Sequence, residues 1–221
     1  MQDKFLSFQK FNDVDIAEAV GQKLFENGIE YIIENDRKYW DPSFANNSFA
    51  ADIILKIEPQ NFINAHKILD DFYKIQVEYT DNDYYLNSFT DDELFEIISK
   101  PDEWGHFDYQ LAQKLLKERG KEVPIVLLEQ IKNLRIKDLS KPETSHKYFI
   151  YIGYFSAIMG GLFGLFIGWN LAYFKKTLPD GKRVFVYRED ERNHGIRMIL
   201  ISFPSMILWL IFRWAINKYY F

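Results

Sequence analysis

The stretch YFIYIGYFSAIMGGLFGLFIGWNLAYF, residues Tyr148–Phe174, runs for 27 residues without one Asp, Glu, Lys, Arg or His, between Lys147 and the pair Lys175-Lys176. As a helix rising about 1.5 Å per residue it reaches about 40 Å, more than the roughly 30 Å hydrocarbon core of a bilayer. Tyr148, Tyr151 and Tyr154 at one end, with Trp169 and Tyr173 at the other, match an interfacial aromatic belt. The reading is a first membrane span over 148–174, with Lys147, Lys175 and Lys176 at its interfaces. A second follows: Met198–Phe212 is uncharged and extends to 197–217 if Arg197 and Arg213 turn their charges toward headgroups. Pro204 would kink it, and Trp209, Arg213 and Trp214 would form its interfacial end. A re-entrant or interfacial helix is the alternative for this second segment. Between the spans, Leu178-Pro179-Asp180-Gly181-Lys182 is a turn signature and Arg183–Tyr187 alternates, predicting a basic, β-hairpin-like loop over 175–196. Residues 147–221 thus read as a two-helix transmembrane hairpin.

Within the first span Gly153, Ser156, Ala157, Gly160, Gly161, Gly164 and Gly168 share an arc of about 140° on a helical wheel. Small residues let backbones approach closely in lipid, so Gly153, Ala157, Gly160, Gly161, Gly164 and Gly168 form a helix-packing face. Its neighbour is either the second helix of the same chain or a second copy in an oligomer. Loop charge leaves the orientation open. Seven bases lie in the connecting loop; Lys132, Arg135, Lys137, Lys141 and Lys147 precede the first span, and Arg213 and Lys218 end the second. The charged region before Lys147, with no secretory signal at Met1–Ser7, argues for both termini in the cytoplasm and the loop outside.

The 221-residue chain has a net charge of −5 that splits into −14 over residues 1–110 and +9 over residues 111–221. Such asymmetry prompts a search for membrane or nucleic-acid partners, and the acidic amino-terminal part argues against nucleic acid. The absence of cysteine excludes disulfides, thiolate catalysis and cysteine metal sites.

Residues 1–75 alternate strand and helix. Lys4–Phe11 is strand-like; Asn12 or Asp13 caps a helix with Val14, Ala17, Val20 and Leu24 at helical spacing, ended by Asn27-Gly28. Ile29–Ile33 and Asp52–Glu58 are two further strands, and after Pro59 a second helix carries Phe62, Ala65, Leu69 and Phe72. Ile75–Tyr79 offers a fourth strand. The order β-α-β-β-α predicts two helices on one face of an antiparallel sheet, a ferredoxin-like plan in an α+β chain.

The run Phe8–Asp13, then Ala17, Leu24 and Asn27-Gly28-Ile29-Glu30, and later Ile54–Gln60 with Ala65, Ile68 and Leu69, resembles the prokaryotic signal-transducing protein domain, a ferredoxin-like family of unknown biochemical role. The resemblance covers residues 4–74 and brings no catalytic residues. With the anchor that follows, the chain is similar to uncharacterised bacterial membrane proteins, which implies the bacterial inner membrane. The connection Asn35–Ala51 is long and carries Arg37, Tyr39, Trp40 and Phe44, either packed back on the domain or exposed as a partner-binding loop.

Residues 76–146 read as an acidic segment and helical linker. Thr90-Asp91-Asp92-Glu93 is a capping box opening a helix to Ser99; Phe107–Arg119 and Pro124–Leu139 are further helices. His66, His106, His146 and His194 are dispersed and read as surface or capping residues. There is no GxSxG, Walker A, GxGxxG or HExxH motif, and Asn170, Ser156 and Ser202 are too few to line a transport path. The expectation is a membrane-anchored cytoplasmic binding or regulatory module, without catalysis, cofactor or metal. The alternative is a structural or assembly subunit packed into a larger membrane complex through the Gly-rich span.

Overall fold

Strand β1 (Leu6–Phe11) pairs with β3 (Ile53–Ile57), its register shifting between Ser7 and Gln9, and β2 (Tyr31–Asn35) pairs along the other edge of β3, all antiparallel, giving a three-stranded sheet in the order β1-β3-β2. The computed structural model describes residues 4–35, 53–81, 83–145 and 147–220. It divides into two units, Met1–Leu139 with the turn Thr177–Lys182, and Ser140–Lys176 with Arg183–Phe221.

In the first unit, period-two burial of Ile53, Leu55 and Ile57 on β3 turns one sheet face inward. Helix α1 (Val14–Glu26) starts where the Asp13 carboxylate accepts the Asp15 N–H at 2.7 Å, and buries Ala17, Val20, Gly21 and Leu24. A Cβ at Gly21 would stand 2.7 Å from Tyr31 Cδ2, so glycine is what lets the ring of β2 lie on the helix. Helix α2 (Phe62–Gln76) follows a turn opened by Pro59 and buries Phe62, Ala65 and Leu69. These meet Val20, Leu24, Ile29, Leu55 and Ile57 in one core, with two helices on one sheet face. The architecture is α+β, mostly helical, with an amino-terminal β-α-β-β order. Ile75–Tyr79 is not a strand: α2 continues to Gln76 and tightens into a 3-10 turn over Val77–Tyr79, because Val77 is drawn into a second core.

That second core makes residues 77–139 more than a linker. Helices α3 (Asp91–Ser99) and α4 (His106–Glu118) bury Leu94, Ile97, Ile98, Leu111, Ala112 and Leu116 around Val77 and Leu86, with Leu128 and Ile131 of α5 (Ile125–Leu139) packed on them. The acidic stretch is neutralised locally: Arg119 pairs with Asp91 at 2.8 Å, Lys121 joins the same carboxylate, and Arg135 grips Asp102 at 2.7 and 2.8 Å and Glu103 at 2.6 Å. The capping box is formed, Thr90 N–H donating to Glu93 Oε2 at 2.7 Å and Glu93 N–H to Thr90 Oγ1 at 3.4 Å. Thr90→Ala is expected to cost about 1 kcal/mol, lowering the thermal midpoint of the chain in mild detergent, while Thr90→Ser leaves it near the parent.

The second unit corrects the two-span hairpin. Residues 148–174 are not one helix but α6 (Lys147–Met159) and α7 (Leu162–Tyr173), broken at Gly160-Gly161. Gly161 has φ +80°, a conformation that favours glycine, and both of its own backbone groups are paired: Gly161 N–H donates to Ser156 O at 3.2 Å and Leu165 N–H to Gly161 O at 2.8 Å. The chain folds back, so that a Cβ at Gly164 would stand 2.5 Å from Ala157 N and one at Gly153 3.0 Å from Ile167 Cγ2. At about 1.5 Å per residue α6 and α7 reach only about 20 and 18 Å. After β4 (Lys175–Thr177) and β5 (Arg183–Phe185) comes α8 (Glu189–Tyr220). Among the described residues its Glu189–Asn217 portion is the one helix long and apolar enough to cross a membrane.

Candidate functional site

The small residues of the folded-back segment are used within the chain. Besides the Gly164–Ala157 approach between α6 and α7, Gly168 lies against the Gly195 carbonyl of α8, where an added Cβ would be 2.7 Å away. Gly161 lies against Ser202, with a corresponding 2.5 Å to its carbonyl, and Gly153 against Met198, 2.6 Å to Sδ. The α7 pairings descend α8 as α7 ascends, so these two run antiparallel, whereas Gly153 beside Met198 and Ile158 beside Ser205 make α6 parallel to α8. Gly160 has nothing within 4 Å of an added Cβ. Gly153, Ala157, Gly161, Gly164 and Gly168 are buried and Gly160 is half-buried. The opposite face is large and open: Tyr151, Phe155, Ile158, Phe163, Phe166 and Trp169 are each more than 60% exposed.

One end of this unit is polar. The Glu143 N–H donates to Val186 O at 2.7 Å, Lys176 donates to Glu143 Oε1 at 2.9 Å, and the Ser145 N–H and hydroxyl both donate to Glu191 Oε1 at 2.8 Å. Glu191 is 5% exposed. Tyr187 donates to Asn170 Oδ1 at 3.2 Å, and Tyr154 Oη and His194 Nδ1 are 3.0 Å apart. Arg192 lies 3.3 Å over the Phe185 ring with Lys175 4.5 Å from the same ring, while Arg192 Nε donates to Ala172 O. Residues 141–145, Lys147, Lys175-Lys176, β5 and the first turns of α8 therefore share one end. Trp209, Arg213 and Trp214 lie on the last turns of α8, Arg213 5.8 Å over the Trp209 ring. Ser205, which the sequence reading did not single out, donates from Oγ to Ile158 O at 2.7 Å and so caps the last turn of α6.

In the first unit two of the four histidines are not surface residues. His66 and Asp70 lie one turn apart on α2, and His106 opens α4. His66 Nδ1 and His106 Nε2 are 3.2 Å apart, His106 Nδ1 donates to Asp70 Oδ1 at 2.8 Å, and Lys132 of α5 donates to Asp70 Oδ2 at 2.8 Å. Tyr73 stacks on His106 and Phe8 packs on His66. Burial, then the proximity of His106, pushes His66 down to about 4. Burial alone would raise Asp70, but the hydrogen bond and charge of His106 and the ammonium of Lys132 outweigh it and bring the carboxyl down to about 2. A carboxylate only accepts, so His106 donates from Nδ1 to Asp70, and the 3.2 Å contact between its Nε2 and His66 Nδ1 joins the two rings, the tautomers setting which nitrogen donates. The resulting chain, His66 to His106 to Asp70 to Lys132, ties α2, α4 and α5. Sequence spacing missed it because residues 40 apart meet only once α2 and α4 are adjacent. Among the described residues no group of three His, Cys, Asp or Glu is placed to hold a metal.

Arg37, Tyr39, Trp40 and Phe44 lie outside the described residues. No protein-family model, curated protein or solved structure matches the chain.

Proposed function

We propose that this chain is a membrane-anchored module in which residues 140–220 seat the protein in the inner membrane of a bacterium and the α+β unit works at its cytoplasmic face by binding or regulating a protein partner. One observation carries the reading: α6, α7 and α8 turn their small residues toward one another and their large apolar side chains outward on every side. In water an apolar surface of this extent would drive association, whereas lipid covers it without further design. The sheet order β1-β3-β2, with two helices on one face, supports the ferredoxin-like plan and with it the signal-transducing resemblance. The binding role rests on the aromatic loop around Trp40 and on the absence of catalytic motifs in the sequence. A subunit packed into a larger membrane complex is the rival, and it would need a surface other than the Gly-rich face, since Gly153, Gly164 and Gly168 already meet Met198, Ala157 and Gly195.

Alkaline carbonate extraction of membranes from cells expressing the full chain tests the anchor: the protein is expected to stay with the pellet, and release into the supernatant overturns the reading. Purification in mild detergent separates the two roles. A stable stoichiometric membrane complex favours the subunit. A partner lost in Trp40→Ala, with the thermal midpoint unchanged, favours the module.

A further inference from the structure

The membrane reading fixes what covers the second unit but not how it is threaded. We propose that among the described residues α8 makes the only crossing and that α6–α7 is a hairpin inserted to half depth from the side of the basic end, its outer surface covered by the lipid of that one leaflet. The proposal rests on the membrane reading above and deepens it.

Length gives the first argument. Helices of about 20 and 18 Å cannot bridge a hydrocarbon core of roughly 30 Å, whereas Glu189–Asn217 spans about 43 Å. Depth gives the second. The Gly160-Gly161 turn sits beside Ser202 and Met206, in the middle of the uncharged Met198–Phe212 stretch of α8, so the tip of the hairpin lies near the midplane when α8 crosses.

Non-helical backbone at that depth is tolerated only where protein satisfies it. Here Gly161 N–H is taken by Ser156 O, Gly161 O by Leu165 N–H, and the Ile158 carbonyl at the end of α6 by the Ser205 hydroxyl reaching across from α8. The hydroxyl stands beside Pro204, in the part of α8 that faces the turn.

Beyond the tip, α8 goes on alone. Ile207, Leu208, Leu210, Ile211 and Phe212 are 54–66% exposed and point to all sides. A helix docked on a protein partner keeps one stripe, commonly of small residues; this segment is bulky all round, as a helix surrounded by acyl chains is.

Charge gives the direction. In a two-span reading the loop's seven bases oppose those on the other side and the count is even. The fold-back returns the loop to the end that holds residues 141–145 and Lys147, so the seven now add to Lys141 and Lys147, against Arg213 and Lys218 past the far end of the apolar stretch. Nine bases against two place the basic end in the cytoplasm. Chain continuity at Leu139-Ser140 keeps the α+β unit on that side, and the residues after Arg213 emerge on the other. The loop is then cytoplasmic rather than external.

Because the native sequence has no cysteine, single substitutions report sidedness directly. Gln22→Cys, Glu189→Cys and Asn217→Cys, all at exposed positions, would be labelled with a membrane-impermeant maleimide in spheroplasts and in inverted vesicles of an expressing bacterium. The expected result is labelling of Asn217→Cys in spheroplasts only, and of Gln22→Cys and Glu189→Cys in inverted vesicles only. Glu189→Cys labelled in spheroplasts, with the other two labelled in inverted vesicles, restores two crossings and overturns the proposal. All three labelled from the cytoplasmic face alone also overturns it, since α8 then does not cross, and the mirror pattern overturns the charge argument. Release of the parent chain by carbonate marks failure of the membrane reading itself, independently of these patterns.

Discussion

Gly164→Leu is expected to unfold the second unit, while Gly160→Leu, four residues earlier in the same small-xxx-small series, leaves it standing. A Cβ at 164 would lie 2.5 Å from Ala157 N and 2.6 Å from Ala157 Cβ. The first of these is backbone, which no rotamer change can move, so α6 and α7 have to part. Parting them also disturbs α7 against α8, where Gly168 and Gly195 are in similar contact. Ordinary overpacking of a core costs about 1–3 kcal/mol, and a backbone-on-backbone clash belongs at or above the top of that range. For a unit of this size that corresponds to a fall in thermal midpoint of about 10 °C or more in mild detergent. At Gly160 an added Cβ meets nothing within 4 Å, and φ there is not positive, so the substitution meets no contact and no backbone strain. Equal losses at both positions would mean that the segment is a single packed helix and that the break at Gly161 is wrong.

This pair of glycines also shows where sequence reasoning stopped. In the first unit, periodicity and capping located β1, α1, β2, β3 and α2 to within about two residues, because each has one buried and one exposed face. Asp13, Gly28, Pro59 and the Thr90–Glu93 box are punctuation whose chemistry is local. In Tyr148–Phe174 both faces are apolar, so the pattern carries no information about where one helix ends. Gly160-Gly161 reads equally well as packing surface or as a break. The division into a small and a large face survives the break all the same: Gly153, Ala157, Gly164 and Gly168 are buried and Phe155, Phe166 and Trp169 are exposed, because α6 and α7 each turn their small side toward α8 and toward each other. The fourth strand failed for a different reason. Ile75 and Val77 have strand-like side chains, but burying Val77 in the helical core outweighs local preference.

Acidification is expected to destabilise the first unit in two stages, both governed by the chain from His66 to Lys132. His66 titrates near 4 in the folded protein and near 6.5 when unfolded. Between these values the unfolded chain binds more protons, so stability falls as pH drops from about 6.5 to 4, by up to about 3 kcal/mol. Asp70 works in the next interval: its folded value of about 2 lies below its ordinary 3.8, so the stability it contributes is complete above 3.8 and is lost as pH falls toward 2, about 2 kcal/mol more. Thermal midpoints measured in mild detergent from pH 7.5 down to 4 are expected to decline along the first interval. His66→Asn, which removes the titrating ring but keeps an amide beside His106, should flatten the decline. Asp70→Asn has the larger effect at neutral pH. It leaves the Lys132 ammonium and the His106 Nδ1–H facing an amide that returns no charge, at a cost of about 3 kcal/mol, the low end of the range for breaking a buried pair because Lys132 keeps 38% of its side chain in solvent. An undiminished pH dependence in His66→Asn would show that the decline comes from other groups and that the His66–His106 contact does not govern the acid response.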